Sequence, residues 1–461
     1  MLKLTFVICS LISIYSIRAQ DMRSRVNTLV SAFEKSRQFK HAIVSISIAE
    51  TSGGKIVYEK NSQSGLAPAS CLKILTAATA LDLFGEDFRY QTKFGYTGTV
   101  SDGILDGNII ITGSGDPSLG SERFKETHPD NICGELQLQL NNRGIESVRG
   151  VWQTDPRQTT DVEIPGGWIW DDIGNYYGAG FSVFNWHENS YRIFMKPGKK
   201  VGDPVVIVEK RPQNNFPVRS EITTGKKGSG DNAYVYFKPG TDSMIYRGTV
   251  PCCIDSFDID AAMPDPARQM IMRLSTCVGT GNNKKENLPL TAVTSFYTHR
   301  SPTLAELTKP FLQKSINLYG ESFLHLINTK NNSSDASGDL ISFVQEFWEK
   351  KGIDKSAMQI EDGSGLSPGN RITTDALVKV LLYAGSRPWF SSFYDALPVI
   401  NGLKMKSGYI EGTRSYTGFI KSKTGKEYCF SLIVNNYDKS FATVTASIFQ
   451  LLDQLSKSGL D

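Results

Sequence analysis

Pro68-Ala69-Ser70-Cys71-Leu72-Lys73-Ile74-Leu75-Thr76 is the stretch from which the rest of the chain can be read. Ser70 and Lys73 stand three apart at the start of an apolar-periodic run, with Ile74, Leu75, Ala78 and Leu81 on one face. That spacing puts the lysine one helical turn from the serine, on the same side. A lysine partly desolvated by its neighbours can lose its proton and accept the one a serine sheds on becoming a nucleophile. A helix start adds free N–H groups and a dipole that favour developing negative charge. Both residue types are common, so the pair has meaning only through what the remaining sequence supplies.

Upstream, Met22–Ser36 reads as a short amphipathic helix. His41–Glu50 alternates as a strand, Thr51-Ser52-Gly53-Gly54 turns, and Lys55–Lys60 returns as a second strand. From about Tyr90 to Thr280 short strands alternate with Gly, Pro, Asn and Asp turns: Asp106–Gly113, Ser147–Gln153, Ser190–Lys196, Pro204–Val208, Ala233–Phe237 and Met244–Val250. This middle reads as one or two mainly β domains. Helices are predicted over Thr303–Leu326, Ser337–Lys350 and Thr373–Tyr383. The chain closes with strands at Tyr416–Ile420 and Tyr428–Asn435 around a turn at Lys423–Lys426, then an amphipathic helix over Phe441–Leu455. The two-strand start and the strand–strand–helix finish fit one sheet, with the β-rich middle inserted.

The 461 residues leave room for about three domains. The first residues, MLKLTFVICSLISIYSIRA before Gln20, carry an early lysine, an apolar core and a small residue ahead of a polar start. They read as a secretory signal peptide cleaved after Ala19, too short in its apolar core to be a membrane anchor. Loss of Lys3 and Arg18 with it takes the formal charge from +3 to +1, which argues against a nucleic-acid partner. No other stretch is apolar enough to span a bilayer. Cys71, Cys133, Cys252, Cys253, Cys277 and Cys429 remain; export permits disulfides, and a bond from Cys277 to Cys252 or Cys253 is the expectation. Cys71 and Cys429 read as small buried apolar residues. The five histidines are scattered, with no ligand spacing, so neither a metal nor a cofactor is expected.

Acyl transfer from Ser70 needs a proton relay to the leaving group, an anchor for the substrate amide and an oxyanion site. Lys314-Ser315-Ile316-Asn317-Leu318 offers a serine and an asparagine in a helical segment. Asp362-Gly363-Ser364-Gly365-Leu366-Ser367-Pro368-Gly369-Asn370 offers a competing pair, Ser367 and Asn370, on a rigid loop. For a basic residue followed by a hydroxyl and glycine there are two choices as well: Lys406-Ser407-Gly408, and the literal Lys423-Thr424-Gly425, which sits where a hairpin turn would.

With these segments in place the chain resembles the low-molecular-mass class C penicillin-binding proteins, the D-alanyl-D-alanine carboxypeptidases/endopeptidases of the S13 type. Pro68–Thr76 looks like that family's nucleophile segment. Gly113-Ser114-Gly115-Asp116-Pro117-Ser118-Leu119 is similar to its G-G-G-D-P-T-L stretch, and Gly166–Ala179 to its W-x-W-D-D-x-x-x-Y-Y-G-A run. Lys314–Tyr319 falls where the family has K-S-x-N, and Glu361–Leu366 where it has D-G-S-G-L. Gly412–Ile420 follows Lys406–Gly408 as the family's G-x-x-x-x-x-G-F-I follows its K-T-G. The resemblance therefore favours Lys406–Gly408 over Lys423–Gly425, and Ser315/Asn317 over Ser367/Asn370. Three departures stand out: serine in place of the K-T-G threonine, Ile316 in place of a polar residue, and a shortened loop just before Lys404.

What the resemblance implies is an α/β (α+β) serine transpeptidase/β-lactamase-like domain, split in sequence, with two inserted β-rich domains. The expected boundaries are 1–19 for the leader, 20–88 and 286–461 for the split domain, and 89–285 for the insertion. The implied activity is a periplasmic serine DD-peptidase cleaving D-Ala-D-Ala of peptidoglycan stem peptides, and in the endopeptidase case D-Ala–diamino-acid crosslinks, with β-lactams as inhibitors. Ser70 would be the nucleophile, Lys73 its base and Ser315 the proton donor to the departing D-Ala. Asn317 would hold the substrate amide, Lys406 and Ser407 the terminal carboxylate, and the Ser70 and Tyr409 N–H groups, next to Gly408, the oxyanion. Asp171, Asp172, Tyr176 and Tyr177 either face the cleft or hold the insertion together, and the structural role is favoured. A serine β-lactamase is the first alternative, disfavoured by the large insertion and the lack of an obvious deacylating glutamate. A non-catalytic peptidoglycan-binding scaffold is the second.

Overall fold

The alternation in Ile43-Val44-Ser45-Ile46-Ser47-Ile48 builds β1 (Ile43–Glu50), a strand buried on both faces. Val44, Ile46 and Ile48 enter a hydrophobic core on one side. Ser45 points to the other, where its Oγ lies 2.8 Å from Thr374 Oγ1. The structure, a computed structural model, describes residues 21–279, 293–331, 340–438 and 440–460. The expected leader, the boundary drawn at residue 285 and the start of the Ser337–Lys350 helix lie outside these residues. Among the described residues no helix is long and apolar enough to cross a membrane.

Two compact units emerge. One gathers Met1–Glu86, Thr308–Ser315 and Ile327–Asp461; the other gathers Asp87–Leu307 and Ile316–Leu326. In the first, β1 is joined by β2 (Ile56–Lys60), β3 (Val399–Ile400), β4 (Leu403–Ile410), β5 (Thr413–Lys421) and β6 (Glu427–Asn435). The sheet runs β3-β4-β5-β6-β1-β2, every pair antiparallel. Ile43 faces Asn435 and Glu50 faces Tyr428 along the β1–β6 seam, so the two ends of the chain share one sheet. Helix α1 (residues 21–34) supplies Val26, Val30 and Phe33 to the core on one face. The last helix, over Phe441–Gln454, adds Val444, Ile448, Leu451 and Leu452 there. A helix over Thr374–Gly385 covers the opposite face, and α2 (Lys73–Phe84) packs on it. That α2 is buried from Lys73 to Leu81, next to the turn ahead of it.

The second unit is mixed α/β. A four-stranded sheet of Gln91–Tyr96, Ile109–Thr112, Trp152–Thr154 and Thr294–Arg300 packs on two helices, Pro129–Asn141 and Pro266–Cys277. Sequence patterning misses both helices. Their signals were present: proline in the first turn of each, and an Asp265 side chain accepting from Arg268 N. The expected bond from Cys277 to Cys252 or Cys253 is corrected here. Cys277 is bonded to Cys133, one cysteine from each missed helix. Among the described residues three smaller sheets belong to the same unit. The strand expected at Asp106–Gly113 runs over Ile109–Thr112, and the one expected at Ser147–Gln153 is broken into Ser147–Val148 and Trp152–Thr154. The strand expected at Pro204–Val208 runs over Val206–Arg211.

Candidate active site

The nucleophile segment enters α2 through a 3-10 turn over Ala69–Leu72. Ala69 holds a left-handed φ of 46°, costly for a residue with a Cβ, and it is almost wholly buried. The turn is pinned from two sides. Ser415 Oγ on β5 donates to Pro68 O, and Cys71 Sγ donates to Lys406 O at 3.2 Å. Burial pushes the Cys71 thiol up, so it stays a neutral donor. Ser70 is thereby half-exposed while its neighbours are buried.

Lys73 is fully buried. Its Nζ donates to Ser70 Oγ at 3.0 Å and to Ser364 O at 2.6 Å, and lies 5.8 Å from the Phe311 ring centre. The carbonyl fixes the Lys73 nitrogen where it can also reach the serine oxygen. It comes from the loop that competes with Ser315/Asn317 in the sequence. That loop is built around Asp362, fully buried, which accepts from Gly365 N at 2.7 Å, Ser367 N at 2.6 Å and Asn370 Nδ2 at 3.0 Å. Asn370 Oδ1 in turn accepts from Glu361 N at 2.7 Å. Ser367 and Asn370 thus serve the loop itself. Gly365 has a φ of 83°, and a Cβ there would run into Ala69 O. The loop presses directly on the nucleophile turn, and Thr76 Oγ1 anchors it further by donating to Gly363 O at 2.7 Å. Spacing alone could not reveal this role, because a backbone carbonyl is supplied by any residue type.

Strand β4 carries Lys406, Ser407, Gly408 and Tyr409. Lys406 and Gly408 share the face toward the nucleophile turn; a Cβ at Gly408 would lie 2.5 Å from Pro68 O and 3.0 Å from Ala69 Cβ. Only glycine permits that approach. Ser407 and Tyr409 alternate to the other face, where the half-exposed Tyr409 ring meets Phe441 edge-on at 4.9 Å. The short β3 pairs only with Leu403 and Lys404, so β4 becomes the sheet edge beyond them. Met405 N donates across this edge to Pro398 O. With a period of two, the N–H groups of Ser407 and Tyr409 point the same way, past the end of β3. Arg414 Nη1 supports the strand from behind by donating to Gly408 O at 2.9 Å. Lys406 itself is buried; that burial above all, with the Arg414 charge acting the same way, lowers its pKa to about 8. The shortened loop before Lys404 is closed by Lys404 Nζ, which donates to Asp395 O and Leu397 O, both at 3.1 Å.

The helix expected over Thr303–Leu326 is two helices, Leu304–Gln313 and Asn317–Asn328. The break contains Ser315, half-buried, with a left-handed φ of 59°. Ser315 falls in the same unit as Ser70, Lys73 and Lys406–Tyr409; Asn317 falls in the other. There Asn317 Nδ2 donates to Tyr177 O at 2.7 Å, within the W-x-W-D-D-x-x-x-Y-Y-G-A run. Two residues on, the buried Tyr319 hydroxyl donates to Glu188 Oε1 at 2.9 Å. Lys423–Gly425 forms the exposed turn between β5 and β6. Among the described residues no cluster of His, Cys, Asp and Glu could hold a metal ion.

Comparison with known proteins adds the following. The family model described as D-Ala-D-Ala carboxypeptidase 3 (S13) matches residues 26–455. A D-alanyl-D-alanine carboxypeptidase of Actinomadura sp. strain R39 is 23% identical over 437 residues, covering 86% of this chain and 78% of the relative. The crystal structure of penicillin binding protein 4 (dacB) from Haemophilus influenzae superposes with a TM-score of 0.79 at 21% identity, over 92% of this chain and 98% of the other. The same Haemophilus protein complexed with a β-lactam gives 0.73 at 20% identity, over 94% and 99%. The fold is therefore shared.

Proposed function

We propose how these residues work from one premise: the chain belongs to the D-Ala-D-Ala carboxypeptidase 3 (S13) family, and is a serine-type DD-peptidase acting on peptidoglycan. Ser70 Oγ attacks the carbonyl of the penultimate D-Ala, and Lys73 Nζ takes its proton over the 3.0 Å contact. This contact, made by a fully buried lysine, is the observation that carries the reading. The developing oxyanion lies between the N–H groups of Ser70 and Tyr409. Lys406 receives the terminal carboxylate. Asn317 holds the substrate amide, and Ser315 hands a proton to the departing D-Ala and regains one from Lys73, which returns to the neutral amine. Water then hydrolyses the acyl-enzyme on Ser70. β-Lactams present the same reacting carbonyl and a carboxylate, so they acylate Ser70. We further propose export through the leader ending at Ala19 and a periplasmic location. The test is D-Ala release from a stem pentapeptide: the chain releases it and Ser70→Ala does not. Equal release by both would refute the assignment.

A further inference from the structure

The two neighbouring cysteines at the end of the Met244–Pro251 strand have no part in the reaction proposed above. Cys252 is buried and Cys253 exposed, and their Sγ atoms lie 2.8 Å apart. Two thiols in ordinary van der Waals contact would stand farther apart, so the backbone already aims the sulfurs at each other. It does so through Cys253, whose φ of 66° is left-handed and costly for a residue with a Cβ. On its other side Cys252 is tied down, its N donating to Gly225 O at 3.2 Å. The pair sits where the chain leaves one three-stranded sheet, at Pro251, and enters another, at Phe257. Elsewhere in the same unit Cys133 and Cys277 form a disulfide, so thiol oxidation is already part of this unit's structure.

We propose that Cys252 and Cys253 are a redox modification site that closes into a disulfide between adjacent residues by exchange with a disulfide oxidant. The exposed Cys253 thiolate attacks one sulfur of the oxidant, forming a mixed disulfide and releasing one thiol that carries away a proton. The Cys252 thiolate then attacks Cys253 Sγ, breaks the mixed disulfide and releases the second thiol with the second proton. Two thiols are oxidised and one disulfide is reduced. The ring stiffens the crossover between the two sheets. Neighbouring α-carbons lie about 3.8 Å apart across a trans peptide, short of the usual disulfide range, so the ring is a readily reduced one.

One tryptic peptide, Gly248–Arg268, contains both cysteines. The full chain is equilibrated with oxidised glutathione, denatured, alkylated with iodoacetamide and digested. The expected peptide is unalkylated and lighter by two hydrogens, and dithiothreitol before alkylation converts it to the doubly alkylated form. In Cys253→Ser, Cys252 should take up alkylating agent or a single glutathione, with no closed ring. A doubly alkylated wild-type peptide before any reductant would overturn the proposal. So would a bond from either cysteine to a different peptide.

Discussion

At the residue scale, two buried lysines divide the chemistry between them. Lys73 is buried between Ser70 Oγ and Ser364 O, so its replacement removes the base without opening the surface. Lys73→Met should slow acylation by a penicillin by about 10²–10⁴-fold while leaving the folded state intact, read by stopped-flow acylation beside circular dichroism. An acylation rate within threefold of the parent would count against Lys73 as base. Lys406 makes a different prediction. Burial lowers its pKa to about 8, so it gives up its charge as pH rises through that value. Carboxylate recognition needs the cation, hence kcat/KM for D-Ala-D-Ala peptides should fall above about pH 8, whereas an ester lacking the carboxylate should show no such limb. In Lys406→Arg the limb should disappear. The same shift has a sign for stability: between about pH 8 and 10.5 the unfolded chain binds more protons, so this residue's contribution makes the fold more stable as pH rises.

At the scale of elements, what the sequence discloses and what it hides divide cleanly. Strands β1, β2 and β6, helix α2 and the last helix follow from period-2 and period-3.6 patterning, because each buries a long stripe of one kind. The nucleophile pair and the choice of Lys406–Gly408 follow from motif context. The left-handed break at Ser315 is not legible, since nothing in Lys-Ser-Ile-Asn demands a positive φ. Helix Pro129–Asn141 is hidden by Gly134 and by its many polar residues, and with it goes the partner of Cys277. The loop around Asp362 hides its role for another reason, acting through the Ser364 carbonyl and the room left by Gly365. Gly365→Ala should therefore place a Cβ against Ala69 O at a left-handed φ, costing about 1–3 kcal/mol of stability. It should also slow acylation, since Lys73 hangs from the same loop. Unchanged denaturant midpoint and unchanged acylation would show that the loop does not press on the nucleophile turn.

Across the whole molecule, acid should act on the second unit through its buried histidines. His299 and His325 are held neutral by burial, with pKa values lowered to about 4, and His299 Nε2 is buried without a partner. Both unfold to imidazoles titrating near 6.5, so between about pH 6.5 and 4 the unfolded state binds more protons and stability is lost as pH falls. His299→Gln should flatten that slope in urea titrations; an unaltered slope would show that His299 is not its source. The claim that joins the two ends of the chain, the nucleophile turn and β4 into one enzyme is that Ser70 is an activated nucleophile. The most direct measurement is the intact mass of the chain and of Ser70→Ala after incubation with a penicillin. The parent should gain one penicillin stably and the variant none. No adduct on the parent, or the same adduct on Ser70→Ala, would contradict it.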